Sequence, residues 1–338
     1  MLKTTADPVK EGPRMDADLD LLLIYVYCVA DDLLPKKPRN AKRILTDAEV
    51  VTLAVAQQIM GIPSDYRFIG AATRRLGHLF PALTDRSGFF QRRDRLADTI
   101  EWLIQAFASS SPGWEDNLLL ADSTPVECAR SRETVKRGGS SSLDDALANA
   151  ADYGYCASHS RYFYGLRLHT LCAPDGTPRM MMLTSPKENE RDVALRMLAH
   201  VNRSGDGKLT VIADKGYNGR EFKAAAQRLN TTVLRPRRKG EACVQHDPAS
   251  TPALIPASQI TAHTRPDPPK WPHLAGIRQR IESIYWTAKD LLTLERHGAR
   301  TLHGLRARIA ARILTLAAAI ALNHKLGLPS RSLAQYTA

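Results

Sequence analysis

Apolar positions recur with a helical period through the first hundred residues of the chain. The segment Thr46–Glu49 has the spacing of a capping box and opens the apolar stretch Val50–Met60, which Gly61 and Pro63 should end. We therefore predict that residues 15 to about 108 form several helices.

After residue 117 the apolar pattern changes to short runs that are typical of strands. The predicted strands are Asn117–Asp122, Phe163–Cys172, Arg179–Thr184, Lys208–Asp214 and Thr232–Arg235. The turn Pro174–Pro178 separates the second run from the third, so these two should pair as an antiparallel hairpin. Helices are predicted at about 189–203 and 219–229. The resulting order of strands and helices predicts a mixed α/β fold.

Helical periodicity returns from about residue 276 to about 325, with a break near His297 and Gly298. Two flexible loops are predicted, at about 129–150 and 240–272. The first contains the Gly- and Ser-rich run Lys136–Ser142, and the second contains seven prolines between residues 248 and 272. The predicted organisation is a disordered N-terminus (1–14), a helical region (15–110), an α/β domain (115–325) and a C-terminal tail (326–338).

The charge of the chain favours a polyanionic partner. The 338 residues include 47 Lys and Arg against 35 Asp and Glu, which gives a formal charge of +12. Seven arginines and only two acids lie between Arg67 and Arg95, where Phe89–Leu96 could begin a helix with a basic face. These arginines indicate either the solvated surface of a helical bundle or a helical region that docks on DNA, and we favour the second.

Composition argues against several other classes of protein. The five cysteines are scattered and include no C-x-x-C pair, which disfavours a zinc site or a redox dithiol and indicates reduced, intracellular thiols. The apolar runs Leu21–Ala30 and Ile313–Leu322 are too short to cross a membrane, and no signal peptide is evident. We therefore expect a cytoplasmic protein that makes no membrane contact.

Two predicted strands end in the same Ala-Asp pattern, at Asp122 and at Asp214. Side by side in one sheet they would bring the two carboxylates together at one rim, where like charges repel unless a cation lies between them. Hard divalent cations prefer carboxylate oxygens, so the pair suggests a Mg²⁺ site. The alternative is that each aspartate caps the turn or helix that follows it.

A third carboxylate lies on the predicted helix Gly276–Asp290. At 100° per residue, Arg278, Glu282 and Lys289 fall within about 40° of one another, and three isoleucines mark the buried side. Glu282 could complete an all-oxygen metal site, with Arg278 and Lys289 positioned against phosphates. An ordinary surface pair of Arg278 and Glu282 explains the same spacing.

Three motifs, taken in order, resemble the catalytic domain of bacterial insertion-sequence DDE transposases. They are the run Gly154–His169, the turn Ala213–Tyr217 and the pattern R278-x-x-x-E282-x(6)-K289. The resemblance covers about residues 115–325. It implies a ribonuclease H-like mixed sheet flanked by helices, after an N-terminal all-helical DNA-binding region.

The resemblance also implies a site and a reaction. The triad would be Asp122, Asp214 and Glu282, binding two Mg²⁺ ions for which Mn²⁺ could substitute. The reaction would be cleavage and joining of DNA, with transposon terminal inverted repeats and target DNA as partners of a homo-oligomer in the bacterial nucleoid. Related transposases often carry a tyrosine three positions before the helix arginine, where this chain has Ala275.

Basic and aromatic residues near these motifs are candidates for DNA contacts. The candidate phosphate-binding residues are Lys215, Arg278, Lys289, Arg237 and Arg238, each of which is alternatively plain surface charge. The aromatic residues Tyr155, Tyr162, Phe163 and Tyr164 could stack on unpaired bases, but we favour strand packing for them. Two other functions stay open, a stand-alone nuclease of the same fold and an inactive DNA-binding relic or regulator.

Overall fold

Helices form the N-terminal part of the protein. The computed structural model describes residues 18–39, 43–83, 86–129, 147–156, 160–202, 207–236 and 274–337. The N-terminal helices are α1 (Leu19–Leu33), α2 (Asp47–Ile59), α3 (Asp65–Arg75), α4 (Arg86–Arg95) and α5 (Ala97–Ala108). The predicted capping box is confirmed, because Glu49 N donates to the Thr46 hydroxyl at 3.1 Å and Thr46 N donates to the Glu49 carboxylate at 2.5 Å. The predicted N-terminus 1–14 and the loop segments 136–142 and 248–272 lie outside the described residues.

A mixed six-stranded sheet forms the second part of the fold. Its strands are β1 (Leu118–Ala129), β2 (Asp152–Cys156), β3 (Arg161–Cys172), β4 (Pro178–Thr184), β5 (Leu209–Ile212) and β6 (Thr231–Leu234). The spatial order is β2-β3-β1-β5-β6, and β4 pairs with β3 farther along the edge that β2 occupies. The strand β3 is antiparallel to β1, β2 and β4, whereas β1, β5 and β6 run parallel. This α/β architecture is consistent with a ribonuclease H-like core.

Two strands differ from the sequence-based prediction. The strand β1 does not end at Asp122 but continues to Ala129, because Thr124 and Val126 are buried and β3 supplies pairing partners along this length. The strand β2 was not predicted, because its sequence Asp152–Cys156 contains a glycine and no apolar run. The hairpin between β3 and β4 is confirmed, and Gly176 takes the positive φ of 101° that its turn requires.

Both faces of the sheet are covered. On one face Leu120 and Ile212 pack in the same core as the C-terminal helices and the N-terminal helices. On the other face Leu119 and Val211 pack with residues of α7 (Glu190–Val201) and α8 (Arg220–Arg228). Side chains alternate between the two faces of a strand, so Asp122 shares the face of Leu120. A short helix α6 (Leu147–Ala150) precedes β2.

The C-terminal helices are α9 (Leu274–Asp290) and α10 (Leu302–Lys325), with a 3₁₀ turn at Leu294–Arg296 between them. The predicted break near His297 is therefore confirmed. The helix α10 is buried over most of its length because α1, α2, α4 and α5 pack around it. The helical region and the sheet consequently share one hydrophobic core. In the described part of the chain, no helix combines the length and apolarity needed to cross a membrane.

The basic face predicted for Phe89–Leu96 is wrong at Arg93. This arginine is 0% exposed, and its Nη1 lies 2.9 Å from the Asp65 carboxylate of α3. Arg308 of α10 pairs with the same carboxylate. The guanidinium groups therefore join α3, α4 and α10 inside the protein, which a helix pattern read by itself does not reveal. Arg95, by contrast, is exposed.

Candidate active site

Asp122 lies within β1, on the face that α9 covers. Its backbone is in register with Thr170 of β3. Its Oδ1 accepts a hydrogen bond from Ser123 N at 2.8 Å, which fixes the orientation of the half-buried carboxylate. Asp122, the first predicted metal ligand, therefore lies inside the strand β1 and not at its end.

Asp214 lies two residues beyond the end of β5, in a tight turn. Its Oδ1 accepts from Lys215 N at 2.5 Å, and Tyr217 N donates to its backbone carbonyl at 3.0 Å. The helix α8 begins later, and its N-cap is Gly219, which makes no side-chain capping bond. Asp214 therefore does not cap this helix, but its carboxylate does cap the turn that follows it, which is the other part of that alternative.

The two aspartates follow paired residues of neighbouring parallel strands, Asp122 within β1 and Asp214 in the turn just after β5. The strands β1 and β5 pair Leu120 with Ile212, and each aspartate follows two residues later. Burial raises the pKa of the Tyr217 phenol, and the charges of Asp122 and Asp214 raise this pKa further. Both carboxylates therefore act electrostatically on the same buried tyrosine, as expected for two charges at one rim of the sheet.

The helix α9, which carries Glu282, is attached to β1 at Asp122. Tyr285, one helical turn beyond Glu282, donates its hydroxyl to the Asp122 backbone carbonyl at 2.8 Å, and the same hydroxyl lies 2.7 Å from Thr170 Oγ1. Burial and the charge of Asp122 raise the pKa of the Tyr285 phenol well above its ordinary value, so the hydroxyl keeps its proton and can donate. Glu282 itself is exposed.

These three carboxylates are not gathered into one closed cluster. Among the described residues, no group of three or more His, Cys, Asp or Glu side chains lies close enough to hold a metal ion. The fold carries Asp122 on β1, Asp214 in the turn just after the neighbouring strand β5, and Glu282 on the helix that packs against β1.

A known family matches most of the sheet and the helices that cover it. Residues 113–318 match the family model of the transposase DDE domain, which is more than half of the chain. The chain belongs to the transposase DDE domain family. No curated protein and no solved structure was found to match the chain. Membership of this family makes the protein a transposase of the polynucleotidyl transferase and nuclease type, with DNA as its partner and a divalent metal as the typical cofactor.

A fourth carboxylate of this transposase domain lies near the aspartates and was missed by sequence reasoning. Glu190, the first residue of α7, accepts from Ser123 Oγ at 3.0 Å and pairs with Arg167 of β3. A Cβ built on Gly216 would lie 3.9 Å from its Oε2, so the carboxylate also reaches the turn after β5. In the sequence Glu190 resembles any acidic residue in the first turn of a helix, and no motif distinguishes it.

The residues predicted to contact phosphates have different positions in the transposase. Lys215 is exposed in the turn after β5. Lys289 forms a salt bridge with Glu295, with Nζ 3.3 Å from Oε1. The structure does not describe the side chain of Arg278 on α9, or any part of Arg237 and Arg238.

Strand packing is confirmed for only some of the aromatic residues. Phe163 and Tyr164 are buried, whereas Tyr155 and Tyr162 are exposed with ring centroids 5.1 Å apart. For these two exposed tyrosines the packing interpretation is wrong, because the β2–β3 edge bearing them projects into solvent. His169 is buried, and burial lowers its pKa to about 4, so it is a neutral core residue.

Proposed function

We propose that this transposase binds transposon ends and catalyses cleavage and strand transfer, with Asp122, Asp214 and Glu282 as its catalytic carboxylates. The observation that supports this proposal is that Asp122 and Asp214 each follow, by two residues, the paired residues Leu120 and Ile212 of two parallel strands. The attachment of α9 to the Asp122 carbonyl through Tyr285 supports the inclusion of Glu282.

The donor set of the three carboxylates fits a hard divalent cation, since all its ligand atoms are oxygens. Two Mg²⁺ ions, or Mn²⁺ in their place, held by these side chains would activate a water or 3′-hydroxyl and stabilise the leaving oxygen. The chain itself orients the donors. The N–H groups of Ser123 and Lys215 fix the two aspartates, and Tyr285 fixes the helix that bears Glu282.

Binding of the substrate is proposed for basic residues around the site and for the N-terminal helices. Lys215 is exposed and directly follows Asp214, which supports a role in contacting a phosphate near the reacting bond. Arg278, Arg237 and Arg238 have the same proposed role. The salt bridge between Lys289 and Glu295 favours the interpretation of Lys289 as plain surface charge. Contact of this lysine with DNA would require that salt bridge to break.

The test is incubation of the full-length protein with labelled transposon-end DNA and Mg²⁺. The wild type should produce defined 3′ ends and joined products, and Asp122→Asn, Asp214→Asn and Glu282→Gln should each lose both. Asp152→Asn is the matched control, because Asp152 also lies in a strand and accepts from the next N–H, at 2.7 Å, yet lies on β2.

Each of the other outcomes would indicate a different function or mechanism for this protein. Defined 3′ ends without joined products would indicate a stand-alone nuclease. Binding of end DNA by the wild type with no cleavage would indicate an inactive relic. Equal cleavage by the wild type and by all three carboxylate variants would remove the triad from the mechanism.

A further inference from the structure

A groove of about 840 Å³ opens between α3 and the segment that joins α9 to α10. Its lining includes Tyr66, Arg67, Gly70 and Arg74 from α3, and Arg296 from the 3₁₀ turn before α10. Among the described residues, no aspartate or glutamate lines it. The groove therefore belongs both to the N-terminal helices and to the segment that follows the Glu282 helix.

The groove concentrates positive charge. Arg67, Arg74 and Arg296 are exposed, and none of them forms a salt bridge with a carboxylate in the part of the chain that the structure describes. The acid at the start of α3, Asp65, faces inward and pairs with Arg93. The outer face of α3 is left cationic as a result, and a concave cationic surface attracts a polyanion.

Small residues allow a ligand to approach the helix closely between two of these arginines. Arg67 and Arg74 are two turns apart on one face of α3, and Gly70 and Ala71 lie between them. A Cβ built on Gly70 would lie 3.7 Å from Arg74 Nη1, so the guanidinium lies next to bare backbone. Guanidinium groups bind phosphate through two parallel hydrogen bonds.

The two walls of the groove are held together from inside the protein. Arg308 of α10 pairs with Asp65 at the start of α3 and donates from Nη1 to the His297 carbonyl at 3.1 Å. A Cβ built on Gly298 would lie 3.6 Å from the Pro63 carbonyl, so the turn before α3 also meets the segment after α9. These contacts between the two walls make the groove preformed.

We propose that this groove binds the sugar-phosphate backbone of duplex DNA. The inference rests on the proposed function and deepens it, since it assigns DNA docking to α3 and Arg296 and not to the arginines of α4. Arg296 lies six residues after the last residue of α9, the helix that bears Glu282, so the groove includes the segment that follows this helix. The match to the transposase DDE domain family, whose partner is DNA, favours DNA over an acidic protein segment as the ligand.

The experiment measures the affinity of the full-length protein for duplex DNA between about 50 and 200 mM salt, by fluorescence anisotropy. The variant is Arg67→Ala, Arg74→Ala and Arg296→Ala combined. Each lost phosphate contact should reduce the slope of log affinity against log salt by about 0.9. The wild type should therefore lose about 40-fold more affinity over this range than the triple variant. The control is Arg228→Ala, an exposed arginine on α8, which should change the slope by at most one contact.

The possible results separate this inference from the proposed function. A reduced slope in the triple variant, with an unchanged melting temperature, supports the groove. Equal slopes for the wild type and the triple variant overturn the groove, and the proposed function still stands if the wild type cleaves end DNA. Groove-dependent binding of a polyglutamate peptide with an unchanged DNA slope also overturns it, since the groove would then belong to an acidic protein.

Discussion

The substitution Tyr285→Phe tests whether the Tyr285 hydroxyl positions α9 for catalysis or only stabilises the packing of this helix. It removes a single oxygen and leaves the ring in the core. The lost oxygen is the one that donates to the Asp122 carbonyl and lies 2.7 Å from Thr170 Oγ1, so two hydrogen bonds disappear together.

The stability cost follows from those two bonds. At about 1 kcal/mol net for each, the free energy of unfolding should fall by about 2 kcal/mol. For 338 residues, an unfolding entropy of about 2.1 cal/mol/K per residue converts this into a melting temperature lower by about 3 °C. The protein should therefore remain fully folded at ordinary assay temperatures.

The effect on catalysis should be larger than this stability cost. If the hydroxyl sets the position of the Glu282 helix relative to Asp122, its loss should lower the affinity for Mg²⁺ about 10- to 100-fold, as is usual when a group that orients metal ligands is removed. End cleavage should then need a correspondingly higher Mg²⁺ concentration and be restored in part when Mg²⁺ is raised. The assay is the initial rate of cleavage across a Mg²⁺ titration, with thermal melting of the same samples.

The matched control is Tyr336→Phe. The Tyr336 hydroxyl is also buried and donates to Asn323 Oδ1 at 2.6 Å, but this bond joins the C-terminal segment to the end of α10 and involves neither α9 nor Asp122. It should lower the melting temperature without changing the Mg²⁺ dependence. The positioning role is refuted if Tyr285→Phe likewise lowers only the melting temperature and leaves the Mg²⁺ titration of the wild type intact.

Three further outcomes are expected. Asp214→Asn should reduce cleavage by orders of magnitude. Its melting temperature should be unchanged, because the N-cap of α8 is Gly219 and not Asp214. A clear drop in melting temperature would show that the residue is structural. Arg93→Ala should cost about 1.5–3 kcal/mol of unfolding free energy, because Asp65 loses one of its two arginine partners, whereas the exposed Arg95→Ala should cost less than about 0.5 kcal/mol. Similar denaturation midpoints for the two variants would contradict the burial of Arg93. Burial lowers the pKa of His297 to about 4, below its unfolded value, so the stability that this histidine contributes is present above about pH 6.5 and is lost as the pH falls toward 4. Across this range the melting temperature of His297→Gln should therefore fall less than that of the wild type. An equal fall would mean that other groups cause the pH dependence.

Local pattern was enough to predict elements whose signal lies within their own residues. The capping box at Thr46, the turn at Gly176 and the break before α10 each depend on a few adjacent residues, and all three are confirmed. The shared Ala-Asp pattern also indicated that Asp122 and Asp214 belong together, and the pairing of β1 with β5 gives them matched positions.

Features that depend on distant partners could not be predicted in this way. The strand β1 continues past Asp122 only because β3 pairs with it, and Pro125 within that extension looks like a strand end when read alone. The burial of Arg93 requires the carboxylate of Asp65, which lies 28 positions earlier in the chain. The bond between Tyr285 and Asp122 joins residues 163 positions apart, so nothing local to either residue signals it.

The central place of α10 has a consequence for synthesis of the protein. About 190 residues of chain separate the end of α5 from the start of α10, and at 5 to 20 residues per second a ribosome needs roughly 10 to 40 seconds to make them. Through that interval the apolar sides of α1, α2 and α5 lack the helix they finally pack around, so a chain released early leaves them open to aggregation and proteolysis. Truncated copies should therefore be degraded and not accumulate as competitors for DNA, so that only completed translation yields a protein able to hold it.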